Sequence, residues 1–145
     1  MDDFSITRWG KPLSKYQYSI DLKKKVFTSS SDYLVLDFTD LDDWTFRTGN
    51  SCIFTAYDSC TFRTGKNCIF NTVRGCTFDT GSSCTFHTGT ASTFNTGRGC
   101  TFSLWDINTC KFKSYDGISI ILDRKDNEAY QLNKEFIQLQ KIKNG

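Results

Sequence analysis

Proline, methionine and histidine are almost missing from this chain, with one of each among 145 residues. The lone histidine, His87, stands in no Cys-His or Ser-His-Asp constellation, and no catalytic residue is assigned. Charge of one sign is also missing. Lys and Arg number 18 and Asp and Glu 16, a net charge of +2, which argues against a nucleic-acid binder or a DNA mimic. No apolar run approaches the roughly 18 residues needed to cross a bilayer, so no membrane partner is expected. The N-terminal stretch MDDFSITRWGKPLSKYQYS has acids directly after Met1 and no apolar core of a signal peptide. A reducing cytosol, with cysteines kept as thiols, is the compartment this implies. Glu128, Glu135 and the scattered Asp residues show no paired spacing, and no glycine-rich phosphate loop precedes a helix.

What is present is phenylalanine and glycine in register, 13 and 10 residues respectively, a packing signature and not one of disorder. The unit is Cys-Thr-Phe-x-Thr-Gly-x-x. It runs through WTFRTGNS (from Trp44), CIFTAYDS (Cys52), CTFRTGKN (Cys60), CIFNTVRG (Cys68), CTFDTGSS (Cys76), CTFHTGTA (Cys84), STFNTGRG (Ser92) and a degenerate CTFSLWDI (Cys100). Such a fixed period is the first thing to interpret. Alternation with period two, β-branched Thr and aromatic Phe predict a strand at positions one to five. Cys, Phe and the second Thr point inward, the first Thr and the variable residue outward. Gly with two small or polar residues predicts a corner, Gly supplying a backbone conformation that Cβ-bearing residues resist.

Short strands at a fixed period with no room for crossover helices predict an all-β fold, a β-solenoid whose strands stack about 4.8 Å apart. A meander of hairpins also fits the spacing, but identical small units seldom close a core that way. Alternate units resemble one another more than neighbours do: Cys52 and Cys68 share Cys-Ile-Phe and both depart from Thr-Gly. This favours two units per 16-residue coil and about four coils, with three units per coil as the alternative and the handedness unread. The organisation is one continuous domain: residues 1–43 an N-terminal β cap, 44–113 the solenoid, and 114–145 a C-terminal β cap. Covers are expected because open solenoid edges aggregate. Tyr18/Ile20/Leu22, Val26-Phe27 and Leu34/Leu36/Phe38 predict strands before the repeats. After them come a hairpin around Lys125-Asp126-Asn127 and a third run, KEFIQLQKI, predicted as strand with short helix as the alternative.

The run CTFxTGxx, between KVFTSSSDYLVLDFTDLDDWTF and ISIILDRKDNEAYQLNKEFIQLQKIKNG, resembles repeat proteins of tailed bacteriophages, notably gut phages, and of some giant viruses. The resemblance spans about Tyr18 to Gly145. It implies a non-enzymatic accessory protein made in the host bacterial cytoplasm, and it supplies no catalytic residues. Thr-Gly is lost at Ala56-Tyr57, Val73 and Leu104-Trp105, which makes those corners candidates for specialisation.

Cys52, Cys60, Cys68, Cys76, Cys84 and Cys100 are expected as a buried thiol column beside the rings of Phe54, Phe62, Phe70, Phe78, Phe86, Phe94 and Phe102, with Phe46 ahead of them. Zinc sites favour short Cys-x2–4-Cys knuckles, and the spacing here is eight, so no metal is assigned. Disulfides between coils are disfavoured by the odd count of seven, which includes Cys110, and by Ser92 and Trp44 at the same repeat position. No cofactor is assigned to the inward rings. The candidate interaction surface comprises Arg47, Arg63, Lys66, Arg74 and Arg98, a modest basic stripe, with the corner residues Tyr57 and Trp105. The functional reading is a rigid scaffold that binds a host or phage protein, with homo-oligomerisation through a solenoid face or cap edge as a further partner class. Two alternatives are a sponge for an anionic nucleotide signal and an ice-binding face. The column Thr45, Thr61, Thr77, Thr93 suits the latter, while Arg47, Arg63, Asp79 and Asn95 beside it oppose it.

Overall fold

The structure, a computed structural model, describes residues 4–39, 41–114, 119–132 and 139–141. Much of the KEFIQLQKI run, including Glu135, lies outside the described residues. The chain opens with strands β1 (Ser5–Arg8), β2 (Lys11–Pro12) and β3 (Ser19–Asp21). Six pairs of short strands follow: β4 (Val26–Thr28) with β5 (Leu34–Asp37), β6 (Thr45–Arg47) with β7 (Ile53–Thr55), and β8 (Thr61–Arg63) with β9 (Ile69–Asn71). Then come β10 (Thr77–Asp79) with β11 (Thr85–Thr88), β12 (Thr93–Thr96) with β13 (Thr101–Leu104), and β14 (Lys111–Ser114) with β15 (Ser119–Asp123). The chain ends in β16 (Glu128–Leu132) and β17 (Leu139–Lys141). The only helices among the described residues are single 3₁₀ turns at Lys15–Gln17 and Ile107–Thr109.

Each strand stacks in parallel on the strand one coil later, at matching repeat positions. Phe46 pairs with Phe62, Phe62 with Phe78 and Phe78 with Phe94; Phe54 pairs with Phe70, Phe70 with Phe86 and Phe86 with Phe102. The result is the all-β solenoid the repeat predicts, two strands per coil. Among the described residues one sheet has ten strands, ordered β17-β16-β15-β13-β11-β9-β7-β5-β1-β2, and the other seven, ordered β14-β12-β10-β8-β6-β4-β3. The described residues make six coils and not four. The outer two escape an eight-residue search because their corners are longer: Val26 pairs with Thr45 and Thr101 with Ile120, each nineteen residues on. At the chain's two ends the pairing turns antiparallel, β1 on β5, β3 on β4 and β16 on β15. Lys125-Asp126-Asn127 lies in the turn of the β15–β16 hairpin.

The core is two columns of rings facing each other. From Phe46 onward in the seven-stranded sheet and from Phe54 onward in the ten-stranded one, successive rings are 4.9–5.3 Å apart and 3–11° from parallel. From Phe54 onward, rings across the gap lie 4.9–5.3 Å apart and 72–85° from parallel. Both geometries suit the quadrupole of benzene-like rings, so the herringbone adds to the burial of apolar area. Leu36 and Ile121 take the Phe position in the outer coils of the ten-stranded sheet, and both are buried.

The corner glycines correct one expectation. The left-handed residue of each corner is not the glycine of Thr-Gly but the residue just before cysteine: Ser51, Ser59, Asn67, Gly75, Ser83 and Gly99 have φ between 58° and 69°. The Thr-Gly glycines are needed for space. They stack on one another, Gly81 N–H donating to Gly65 O and Gly97 N–H to Gly81 O, both at 3.1 Å. A Cβ on Gly97 would lie 2.8 Å from the backbone nitrogen of Ser82.

Candidate functional site

The inward positions are consumed by packing, which leaves the outward columns and the corners as the accessible surface. Cys52, Cys60, Cys68, Cys76, Cys84 and Cys100 are free thiols, each at most 1% exposed, while Cys110 is half-buried. They do more than fill space. Cys76 Sγ is 3.4 Å from Tyr57 O and 3.6 Å from Arg74 O, and Cys68 Sγ is 3.7 Å from Gly49 O and 3.6 Å from Lys66 O. Each thiol thus donates to corner carbonyls of its own coil or the coil before. Ser92 keeps the position because its hydroxyl makes the same bond, to Thr90 O at 3.4 Å. The partner thiols Cys68, Cys76 and Cys100 next along the column, and then burial, push Cys52, Cys60 and Cys84 above the usual thiol range. Burial raises Cys110 as well.

Seven surface residues were singled out from the sequence, and the structure distributes them over three places. Arg47 and Arg63 are register partners on the outer face of the seven-stranded sheet, followed there by Asp79 and Asn95. Lys66 and Arg98 sit two coils apart on the corner that leaves this sheet, the same edge as the two arginines. Arg74 is on the opposite corner, where its Nε lies 3.0 Å from Asp58 Oδ2. Tyr57 and Trp105 share that corner, in a backbone ladder running Tyr57, Val73, Gly89, Trp105 and Lys125. The basic stripe therefore contracts to Arg47, Arg63, Lys66 and Arg98.

The other sheet carries a surface that the repeat alone did not reveal. Its first outward column is Val35, Ile53, Ile69, Thr85, Thr101 and Ile120. Its second is Asp37, Thr55, Asn71, His87, Ser103 and Leu122. Val35, Ile53, Ile69, Ile120 and Leu122 are each 39–41% exposed. Ile53 and Ile69 were visible as the Cys-Ile-Phe variants of the unit; Val35, Ile120 and Leu122 lie beyond the eight-residue register.

Arg124 folds back from the β15–β16 turn onto this face. Its Nη1 donates to Ser103 O (2.6 Å) and Oγ (2.9 Å) and approaches His87 Nδ1 (3.3 Å); its Nη2 donates to Thr88 O (2.6 Å). Partial burial and then the guanidinium hold the His87 pKa below its ordinary value. Beside it Asp123 is fully buried, with Oδ1 accepting from Lys125 N–H at 3.1 Å and Oδ2 without a partner among the described residues.

No group of three or more His, Cys, Asp or Glu among the described residues is arranged to hold a metal ion. Among those residues no helix is long and apolar enough to cross a membrane. Compared with known proteins, the chain matches no family model, no curated protein and no solved structure.

Proposed function

We propose that this chain is a non-enzymatic β-solenoid of phage type that acts as a rigid interaction scaffold in the host bacterial cytoplasm, holding a host or phage protein on its outer surface. The observation that carries this reading is the division of labour in each coil. Ring and thiol columns fill the interior, while the outward side chains form long, straight, chemically distinct columns at fixed register. Among the described residues, reactive side chains are dispersed along these columns, and no three His, Cys, Asp or Glu converge as a metal site would need. A repeating scaffold of this kind presents an extended surface, which suits a macromolecular partner better than a small molecule.

Tagged protein expressed during phage infection should retain one host or phage protein in stoichiometric amount, and retention should fall when Arg63 or Ile69 is changed to glutamate. No specific retention from infected or uninfected cells would remove the scaffold reading. A second reading follows from Arg47, Arg63 and Lys66 sharing one edge: three cations there suit an anionic nucleotide. Host nucleotides that leave the melting temperature unmoved would dispose of it.

A further inference from the structure

We propose that single-stranded nucleic acid lies along the corner that leaves the seven-stranded sheet, with a base stacked on Trp9 and Tyr33 and phosphates following Arg47, Arg63, Lys66 and Arg98. The proposal takes the edge of the second reading above and goes beyond it, from a single nucleotide to a strand.

The aromatic part lies at the first coil. Strand β1 runs antiparallel to β5 with Arg8 opposite Leu34, so the turn carrying Trp9 and Gly10 reaches the corner that Tyr33 closes. The two rings are 6.2 Å apart and 33° from parallel, and the guanidinium carbon of Arg8 is 4.3 Å from the Trp9 ring centre. Trp9 is nevertheless 72% exposed and Tyr33 53%. Both residues have left-handed backbone, φ 53° and 63°, where bulky side chains are uncommon. Later coils fill the Tyr33 place with Ser51, Asn67, Ser83 and Gly99, as local stability alone would favour. A fully exposed Tyr16 joins the same corner, its 3₁₀ turn tied there by Ser29 Oγ donating to Gln17 O at 2.6 Å.

The fold sorts charge by corner. Arg47 and Arg63 are register partners at the ends of β6 and β8, one and two coils beyond Tyr33. Lys66 and Arg98 stand on the corner itself. The described acids at this edge are Asp32, whose Oδ1 accepts from Asn50 N–H at 2.7 Å, and Asp79 beside Arg63. On the opposite corner cations meet acids directly, Arg74 with Asp58 at 3.0 Å and Lys125 with Asp106 at 3.4 Å. A net charge of +2 averages the two corners and hides their difference.

A single strand suits this layout better than a mononucleotide or a duplex. From the first coil to the fifth the edge runs about 19 Å, at about 4.8 Å per coil, longer than one nucleotide bridges. Exposed rings offer a platform to any unpaired base, and cations at intervals track a backbone, the combination that holds single strands without sequence preference. A duplex keeps its base faces stacked on one another and gives Trp9 nothing to cover.

Fluorescence anisotropy of a labelled oligothymidylate of about twelve nucleotides, titrated with the full chain, tests this. In about 50 mM salt the dissociation constant should be about 1–100 μM, and log affinity should fall with log salt at a slope of about −3, for four cations at about 0.7 each. Arg47→Gln combined with Arg63→Gln should weaken binding about tenfold and halve the slope. Trp9→Ala should weaken it about fivefold or more and leave the slope unchanged. Lys23→Gln combined with Lys24→Gln removes the same charge from the opposite corner and should leave binding unmoved. All of these positions are on the surface, and circular dichroism should not change. No binding, an equal loss for the Lys23 and Lys24 pair, or equal affinity for a duplex of the same length would overturn the proposal. Binding that follows Arg47 and Arg63 but ignores Trp9→Ala would overturn it and leave the second reading standing. Binding of the strand while host nucleotides leave the melting temperature unmoved would support it and remove that reading.

Discussion

The thiol of Cys76 reaches two corner carbonyls, and the ring of Phe78 two residues later stacks 5.0 Å from both Phe62 and Phe94. The two side chains contribute in different ways, and substitution should separate them. Phe78→Ala removes a fully buried ring from mid-column and should cost about 3–5 kcal/mol in urea unfolding, as large-to-small core changes do. Cys76→Ser keeps a donor where Ser92 already works and should cost less than about 2 kcal/mol, the size of a single hydrogen bond plus a small volume change. An equal, severe loss for both would show that the thiols have a role beyond donation. Ionisation gives a second test at this scale. Cys52, Cys60 and Cys84 are raised well above the usual thiol value of 9.0 in the folded chain. Unfolded, they lose protons near that value. Their contribution is therefore complete below about pH 9 and is lost progressively as pH rises beyond it. The urea midpoint should fall between about pH 9 and 10.5, and replacing these three thiols by serine should flatten the decline.

Elements are short here, most of them three or four residues, so their stability lies in stacking and not in their own hydrogen bonds. The corners set the stack. Gly97 has a neighbouring backbone where its Cβ would go, whereas a Cβ on Gly99 would make only an ordinary contact with Ser83 Oγ at 3.8 Å, although Gly99 sits at a φ of +69°. The two glycines should therefore respond differently. Gly97→Ala forces adjacent corners apart and should cost about 1–3 kcal/mol, the usual penalty of overpacking. Gly99→Asn should change stability by less than about 1 kcal/mol, because Asn tolerates the left-handed region and Asn67 holds the same corner place with φ 60°. Thermal melts of the two variants decide it, and a reversed order would mean that backbone strain, not spacing, limits the corner.

In the whole molecule the coil is the unit and its half is not. Removing residues 76–91 takes out one strand from each sheet and returns every later strand to its own sheet. Removing residues 76–83 transfers every later strand to the opposite sheet, so that β15 and its hairpin would meet the wrong face. The sixteen-residue deletion should unfold cooperatively with a lowered midpoint, as nearest-neighbour stacking implies. The eight-residue deletion should lose that cooperativity or aggregate. Urea unfolding followed by circular dichroism distinguishes them, and equal behaviour would mean that the flanks are indifferent to which sheet they join.

Sequence alone determined the strand, the inward Phe and Cys, the solenoid and the two units per coil, because each is written in side-chain alternation and repeated at constant spacing. Ile53 and Ile69, too, were marked as departures from Thr. Four things only the tertiary structure decided. Coils one and six were hidden by corners two or three residues longer than the repeat, which break the period but not the stacking. The reason for Thr-Gly, close approach and not positive φ, depends on the coil beneath. The cysteine bonds join residues nineteen apart across a corner, as Cys76 does with Tyr57. The apolar column Val35, Ile53, Ile69 and Ile120 exists only once stacking brings the flanks into register with the repeats. A period fixes what lies next to each residue in the chain; the pitch and the corners fix what lies above and below it, and there the surface of this molecule is made.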